Sequence, residues 1–108
     1  MKKASRKAVG DQDLYERQAV VCKAFANPTR LHLLDVLARG EAGASDLQER
    51  LGISKANLSQ HVSILRAAGV VSTRRDGKRL VCQLSSREIK DVCNRLREIM
   101  RGRPRGKA

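Results

Sequence analysis

Ala44–Gly69 reads ASDLQERLGISKANLSQHVSILRAAG, and this stretch decides the fold. Its spacing predicts two short helices around a tight turn. Ser45 followed by Gln48 has the form of a capping box, and Leu47 and Leu51, four apart, share one face. Gly52 breaks the first helix, Ile53 plugs the corner and Ser54 caps the second. There Leu58, Val62 and Leu65 recur at i, i+4 and i+7 as a single apolar stripe. Gly69 stands in the usual C-terminal position. Away from the stripe lie Ser54, Lys55, Asn57, Ser59, Gln60 and Ser63, and no acid occurs between Arg50 and Arg75. A merely solvated helix face would carry Glu/Lys pairs. This one carries amides, hydroxyls and a Lys, groups that hydrogen-bond to base edges and phosphates. Helix-turn-helix readers place the first turns of such a helix at the bases.

The flanks complete a small domain. Upstream, Asp11 to Phe25 predicts a helix with Leu14, Val21, Cys22 and Phe25 on its apolar side. Asn27 as N-cap and Pro28 at the first helical position start another helix. It runs to Arg39, buries Leu31, Leu34, Val36 and Leu37, and stops at Gly40. Downstream the period changes to two. Val70 to Leu84 predicts a hairpin turning at Asp76-Gly77, with both central residues at positive φ and with Leu80, Cys82 and Leu84 on one face. Arg74, Arg75, Lys78 and Arg79 crowd its tip. Beside a recognition helix this is a wing whose cations suit a phosphate backbone or minor groove; standing alone, it would read as an edge hairpin guarded against aggregation. Ser85 to Met100 predicts the last helix, with Ser85 and Glu88 in capping-box register and Ile89, Cys93, Leu96 and Met100 as a stripe. That stripe either covers the core or pairs with another chain.

A chain of 108 residues forms one domain. With Phe25 and Tyr15 its sole aromatics, the core must be aliphatic. Of the net charge of +12, residues 11–100 hold fifteen Lys/Arg against all eleven acids. The rest lies in residues 1–10 (Lys2, Lys3, Arg6, Lys7) and 101–108 (Arg101, Arg103, Arg105, Lys107), read as a basic N-terminal arm and a basic C-terminal tail around a domain at 11–100. Such ends suit a polyanion, most often nucleic acid. No apolar run is long enough to span a membrane, and the first ten residues lack the apolar core of a secretion signal, so the expected location is cytoplasmic. Three widely spaced cysteines, Cys22, Cys82 and Cys93, do not form a disulfide framework. No Gly-rich phosphate loop, H-E-x-x-H or C-x-x-C is present, and no catalytic residue is assigned.

The order helix, helix, helix-turn-helix, hairpin, helix is that of a winged helix-turn-helix. The runs Ala26-Asn27-Pro28-Thr29-Arg30-Leu31, Leu47 to Gly52, Ser59-Gln60-His61-Val62-Ser63-Ile64-Leu65, Ala68-Gly69-Val70-Val71 and Arg75-Asp76-Gly77-Lys78 resemble the ArsR/SmtB family of bacterial repressors over about residues 14–100. The resemblance implies a mostly α fold of five helices and a two-stranded wing. It also implies a homodimer through the first and last helices, a palindromic double-stranded DNA operator, and release by an inducer. The family's sensing sites are not carried over. Gly43 and Ser45 stand where one member type has arsenite-binding thiolates, and soft ions need sulfur. Ser86, Glu88 and Ile99 stand where a zinc type has ligands, and Asp35 where a redox type has its second-helix Cys. The residues themselves leave Cys22 and Cys93 as candidate sensor thiols, for oxidation or reactive sulfur, or for As(III) or another soft ion with Cys82 as a remote third ligand. The structural reading of each thiol is a small buried hydrophobe. The competing functional reading is a non-specific basic nucleic-acid-binding protein without an effector.

Overall fold

The computed structural model describes the backbone of residues 2–102 and the side chains of residues 10–102. Residue 1, the side chains of the basic N-terminal arm before Gly10, and tail residues 103–108 lie outside the described residues. The order is α1 (Lys2–Phe25), α2 (Pro28–Leu37), β1 (Ala42–Gly43), α3 (Ala44–Leu51), α4 (Lys55–Ala67), β2 (Val71–Asp76), β3 (Arg79–Leu84) and α5 (Arg87–Arg101). Helix α1 starts well before the expected Asp11, so the backbone of residues 2–10 continues the helix.

Local chemistry sets the boundaries. Asn27 adopts extended backbone and its side-chain oxygen accepts from the Arg30 backbone N–H at 3.0 Å, with Pro28 opening α2. Ser54 caps α4 in the same way through the Asn57 N–H at 3.1 Å. Two expected caps are displaced. Helix α3 begins at Ala44 with Gly43 as its N-cap, so Ser45 lies inside the first turn. Helix α5 is capped at Ser86 rather than Ser85, and neither Gly43 nor Ser86 makes a side-chain cap bond. Gly52, at φ 65°, makes the left-handed corner between α3 and α4, where a Cβ would cost about 1–2 kcal/mol.

The sheet has three strands, not the expected two, in the order β1-β3-β2. Ala42 and Gly43 pair antiparallel with Cys82 and Val81, and β2 pairs with β3 from Val71↔Leu84 to Asp76↔Arg79. Two residues are too few to carry a strand periodicity, which is why β1 escapes a reading by pattern. The hairpin register also moves the turn by one residue. Asp76 and Arg79 close it, and its central residues are Gly77 and Lys78. Gly77 alone has positive φ, at 64°, which fits a turn that needs glycine only in its first central place.

The core is aliphatic as expected. Leu33, Leu34, Leu47, Leu65, Val81 and Cys82 are fully buried, and each large side chain there is worth about 1.5–3 kcal/mol of burial. Leu33 replaces Leu31 in the α2 core face, Leu31 being half-buried. The three helices α1, α2 and α3 pack around α4, while α5 lies on α2 and β3. No polar side chain is buried among the described residues.

Candidate nucleic-acid interface

Leu58, Val62 and Leu65 anchor α4 in the core, and this fixes what the helix shows to solvent. Ser54, Lys55, Asn57, Ser59, Gln60 and Ser63 are all exposed. They divide into two groups. Lys55, Ser59 and Ser63 line a cleft of about 700 Å³ between α4 and the hairpin, whereas Asn57 and Gln60 lie on the helix outside it. The far wall carries Arg75, Lys78 and Arg79 of the wing, and Leu58, Val62, Leu80 and Cys82 supply apolar lining.

Arg66 also lines this cleft, and the sequence reading passed over it. The signal was there: Arg66 follows Ser63 by three, a spacing that keeps both on one helix face. Lys55, Arg66, Arg75, Lys78 and Arg79 thus surround the cleft, and its one lining acid, Asp46, is paired with Arg50 at 3.1 Å. Cations held around a concave surface attract and orient a polyanion.

The four wing cations are not equivalent. Strand alternation sends Arg75 to the cleft side with Leu80, and Arg74 to the opposite side with Val81. There Arg74 makes a two-pronged ion pair with Glu41, at 3.1 and 2.6 Å. The hydrogen bond from Arg74 holds the Glu41 carboxyl below its ordinary range. Arg79 also leans toward β1. A Cβ at Gly43 would lie 2.8 Å from its guanidinium, so glycine is what lets this arginine lie flat on the strand. Arg75 and Lys78 are the wing cations in neither of these internal contacts.

The cysteines are dispersed. Cys22 is exposed on α1, so within one chain it is not the small buried hydrophobe of the structural reading. Cys82 is buried in β3 and Cys93 in α5, and all three are free thiols. Burial pushes both buried thiols above their ordinary range, with Arg66 opposing at Cys82 and Arg97 opposing at Cys93. A thiol so raised is a poor nucleophile and metal ligand at neutral pH. Among the described residues no group of three or more His, Cys, Asp or Glu gathers to hold a metal ion, so a three-thiol site does not form within one chain. No helix among them is long and apolar enough to cross a membrane.

A second feature lies on the opposite side. A groove of about 320 Å³ runs between the end of α1, α2 and α5, lined by Phe25, Leu31, Val92, Cys93, Leu96 and Met100 with Arg97 and Asp35 at its edge. Arg97 donates to Asp35 at 3.2 Å and to Asn94 at 2.7 Å, which ties α5 to α2.

Comparison with known proteins agrees with this architecture. The pattern of the arsR family of bacterial regulatory proteins matches residues 27–73, the span from the α2 cap through the recognition helix into β2. The chain is 38% identical over 74 residues to the transcriptional repressor SdpR of Bacillus subtilis, covering 68% of this chain and 82% of that one. It is 36% identical over 99 residues to the transcriptional activator HlyU of Vibrio cholerae, covering 92% and 82%. In structure it resembles the homodimeric winged helix-turn-helix DNA-binding domain of a possible ArsR-family regulator from Mycobacterium bovis. That likeness has a TM-score of 0.77 at 27% identity and covers 82% of each chain. Fold, cationic cleft and relatives converge: the chain belongs to the arsR family of DNA-binding winged helix-turn-helix transcription regulators, and is not an enzyme.

Proposed function

We propose that the protein is a dimeric, sequence-specific repressor that binds a palindromic operator in double-stranded DNA and leaves it when an inducer acts. Helix α4 enters the major groove, with Asn57, Gln60 and Ser63 at base edges and Ser54, Lys55 and Ser59 at bases or phosphates. Arg75, Lys78 and Arg79 carry the wing onto the neighbouring backbone, and Arg66 joins them from α4. The observation that carries this reading is the acid-free exposed face of α4 set against a cationic cleft. Amide and hydroxyl contacts to base edges specify, while the cations position.

The proposed dimer forms through α1 and α5, which expose Leu14, Tyr15 and Val20, and Val92, Leu96, Ile99 and Met100 respectively. A two-fold axis there sets two α4 helices about one DNA turn apart. The homodimeric Mycobacterium bovis domain supports this assembly. Repression rather than activation rests on the likeness to SdpR, and the likeness to HlyU points the other way. For release, Cys22 and Cys93 sit on the two proposed interface helices, so thiol oxidation or a soft ion there would alter subunit spacing. Against it stands the buried, raised thiol of Cys93.

The test is selection from a pool of genomic fragments with fully reduced protein, repeated after mild oxidation. Enrichment of a palindrome by a species of dimer mass is the expected result. Enrichment lost on oxidation of the wild type but kept by Cys93→Ser would establish the thiol switch; indifference to oxidation removes the switch and keeps the repressor. A specific-to-random affinity ratio below about 10³ would support the non-specific reading instead, which the uncompensated cations of residues 1–10 and 101–108 favour.

A further inference from the structure

One guanidinium joins its own helix to two others. Arg30, in the first turn of α2, donates from Nε to the Ala24 carbonyl at 2.6 Å and from Nη2 to the Lys23 carbonyl at 3.4 Å. Those carbonyls belong to the last turn of α1, where the Lys23 oxygen also accepts from the Ala26 backbone N–H at 3.1 Å. From Nη1 it reaches the Nδ1 of His61 in α4 at 3.3 Å. Arg30 and His61 are both half-buried.

We infer that Arg30 and His61 are positioning residues for DNA reading, tying the recognition helix to the end of α1 and so fixing its rotation about its own axis. The inference rests on the proposed entry of α4 into the major groove. Leu58, Val62 and Leu65 fix which face α4 exposes, but apolar burial is non-directional and sets the exact roll only coarsely. The Arg30–His61 contact is directional and lies to one side of that stripe, on the residue next to Gln60. A small roll would carry Gln60 and Ser63 away from the base edges they face. Because α1 is a proposed dimer helix, the same contact passes its position to α4.

The chemistry of the pair makes it testable. Arginine has only donors, so the Nδ1 of His61 must accept, and the ring is neutral with its proton on Nε2. Protonation removes the acceptor and sets two cations side by side. Burial, and then the charge of Arg30 on α2, hold His61 below its ordinary range; no carboxylate acts on it among the described residues. The contact is therefore complete at neutral pH and is lost on acidification.

The experiment uses the operator selected by the wild-type chain and compares its affinity with that of random DNA at fixed salt, from about pH 8 to about pH 5.5. Wild-type selectivity should fall on acidification, by less than about tenfold at about pH 5.5 because the ring titrates below its ordinary range. His61→Asn places a non-titrating oxygen near the Nδ1 position, and should hold near-neutral selectivity throughout. Arg30→Met should stay about tenfold below the neutral-pH wild type at every pH while random-DNA affinity stays within about twofold, since a positioning role gives Arg30 no phosphate to hold. The inference is overturned by a folded Arg30→Met variant with wild-type selectivity, or by a pH response that persists in His61→Asn. It is also overturned by wild-type selectivity that rises on acidification, which would make the charged His61 ring itself a reader of the operator. If Arg30→Met does not fold, the comparison of wild type with His61→Asn decides alone. A wild-type chain that selects no sequence brings down the underlying DNA reading, an outcome separate from these.

Discussion

The α4–wing face and the α1–α5 face are both open to solvent in a single chain, yet they expose opposite chemistries. The first shows amides, hydroxyls and cations around a cleft with one internally paired acid. The second holds every exposed large apolar side chain among the described residues except Ile64. A polar surface of one sign is stable in water and waits for a polyanion. An apolar surface of this size on a small chain is a cost until another apolar surface covers it. On the proposed reading the two faces take different partners, DNA and a second copy, and Arg30 joins α2 to both α1 and α4.

That contrast breaks most severely if the apolar face is charged. Leu96 is 52% exposed on α5 beside the groove. Leu96→Glu should leave the fold of the chain intact, convert the dimer to monomer, and weaken operator binding by on the order of 10³-fold, because half of a two-fold site is lost. Sedimentation and competition binding report the two effects together. A dimer mass retained by the variant would remove α5 from the interface.

The polar face is tested by separating specificity from attraction. Gln60→Ala should cost about 1–3 kcal/mol of operator affinity and relax the preference at particular base pairs. Lys78→Ala should weaken all DNA alike and reduce the salt slope by about one. Equal loss of specific and random binding in Gln60→Ala would take that side chain off the base edges.

These two faces were unequally legible in the sequence. The recognition helix could be read almost residue by residue, because Leu58, Val62 and Leu65 fix its phase and phase fixes what is exposed. Asn27 and Ser54 announced their helices because a side-chain cap is local chemistry. What the sequence did not carry was non-local. Strand β1 exists because β3 offers it an edge, and nothing within Ala42-Gly43 says so. Glu41 and Arg74 are brought together by that same strand, so composition counted Arg74 as a free wing cation. Cys22 fitted a helical stripe, but the stripe of α1 emerges from the monomer and leaves it exposed. Ser45 and Ser85 have the right residue type for caps, one position from where the chain actually enters the helix.

The wing turn gives a smaller effect, on stability and geometry together. Gly77 holds φ at 64° with open space around its Cβ position, so the cost of a side chain there is conformational rather than steric. Gly77→Val should destabilise by about 1–2 kcal/mol, lowering the thermal midpoint by about 4–8 °C for each kcal/mol. It should also reduce DNA affinity through a displaced Lys78. An unchanged midpoint and unchanged affinity would show that the turn accommodates positive φ at another residue.

The smallest expected effect asks whether the wing has two working sides or one. Glu41 and Arg74 are each about half exposed, at 49% and 46%, so their pair contributes little to stability and less in high salt. Its pH dependence follows from the lowered carboxyl. The contribution is present above the ordinary carboxylate range and disappears as pH falls through the folded value. Glu41→Gln should therefore shift the thermal midpoint slightly at low salt and near-neutral pH, with no shift in strong acid, where the wild-type carboxyl is already protonated. It should also release the Arg74 cation and steepen the salt dependence of random-DNA binding. Arg74→Ala in the wild-type background should lose less DNA affinity than Arg75→Ala, because Arg74 is already neutralised. Equal losses from the two would mean that DNA draws Arg74 away from Glu41, and that both sides of the hairpin meet the backbone.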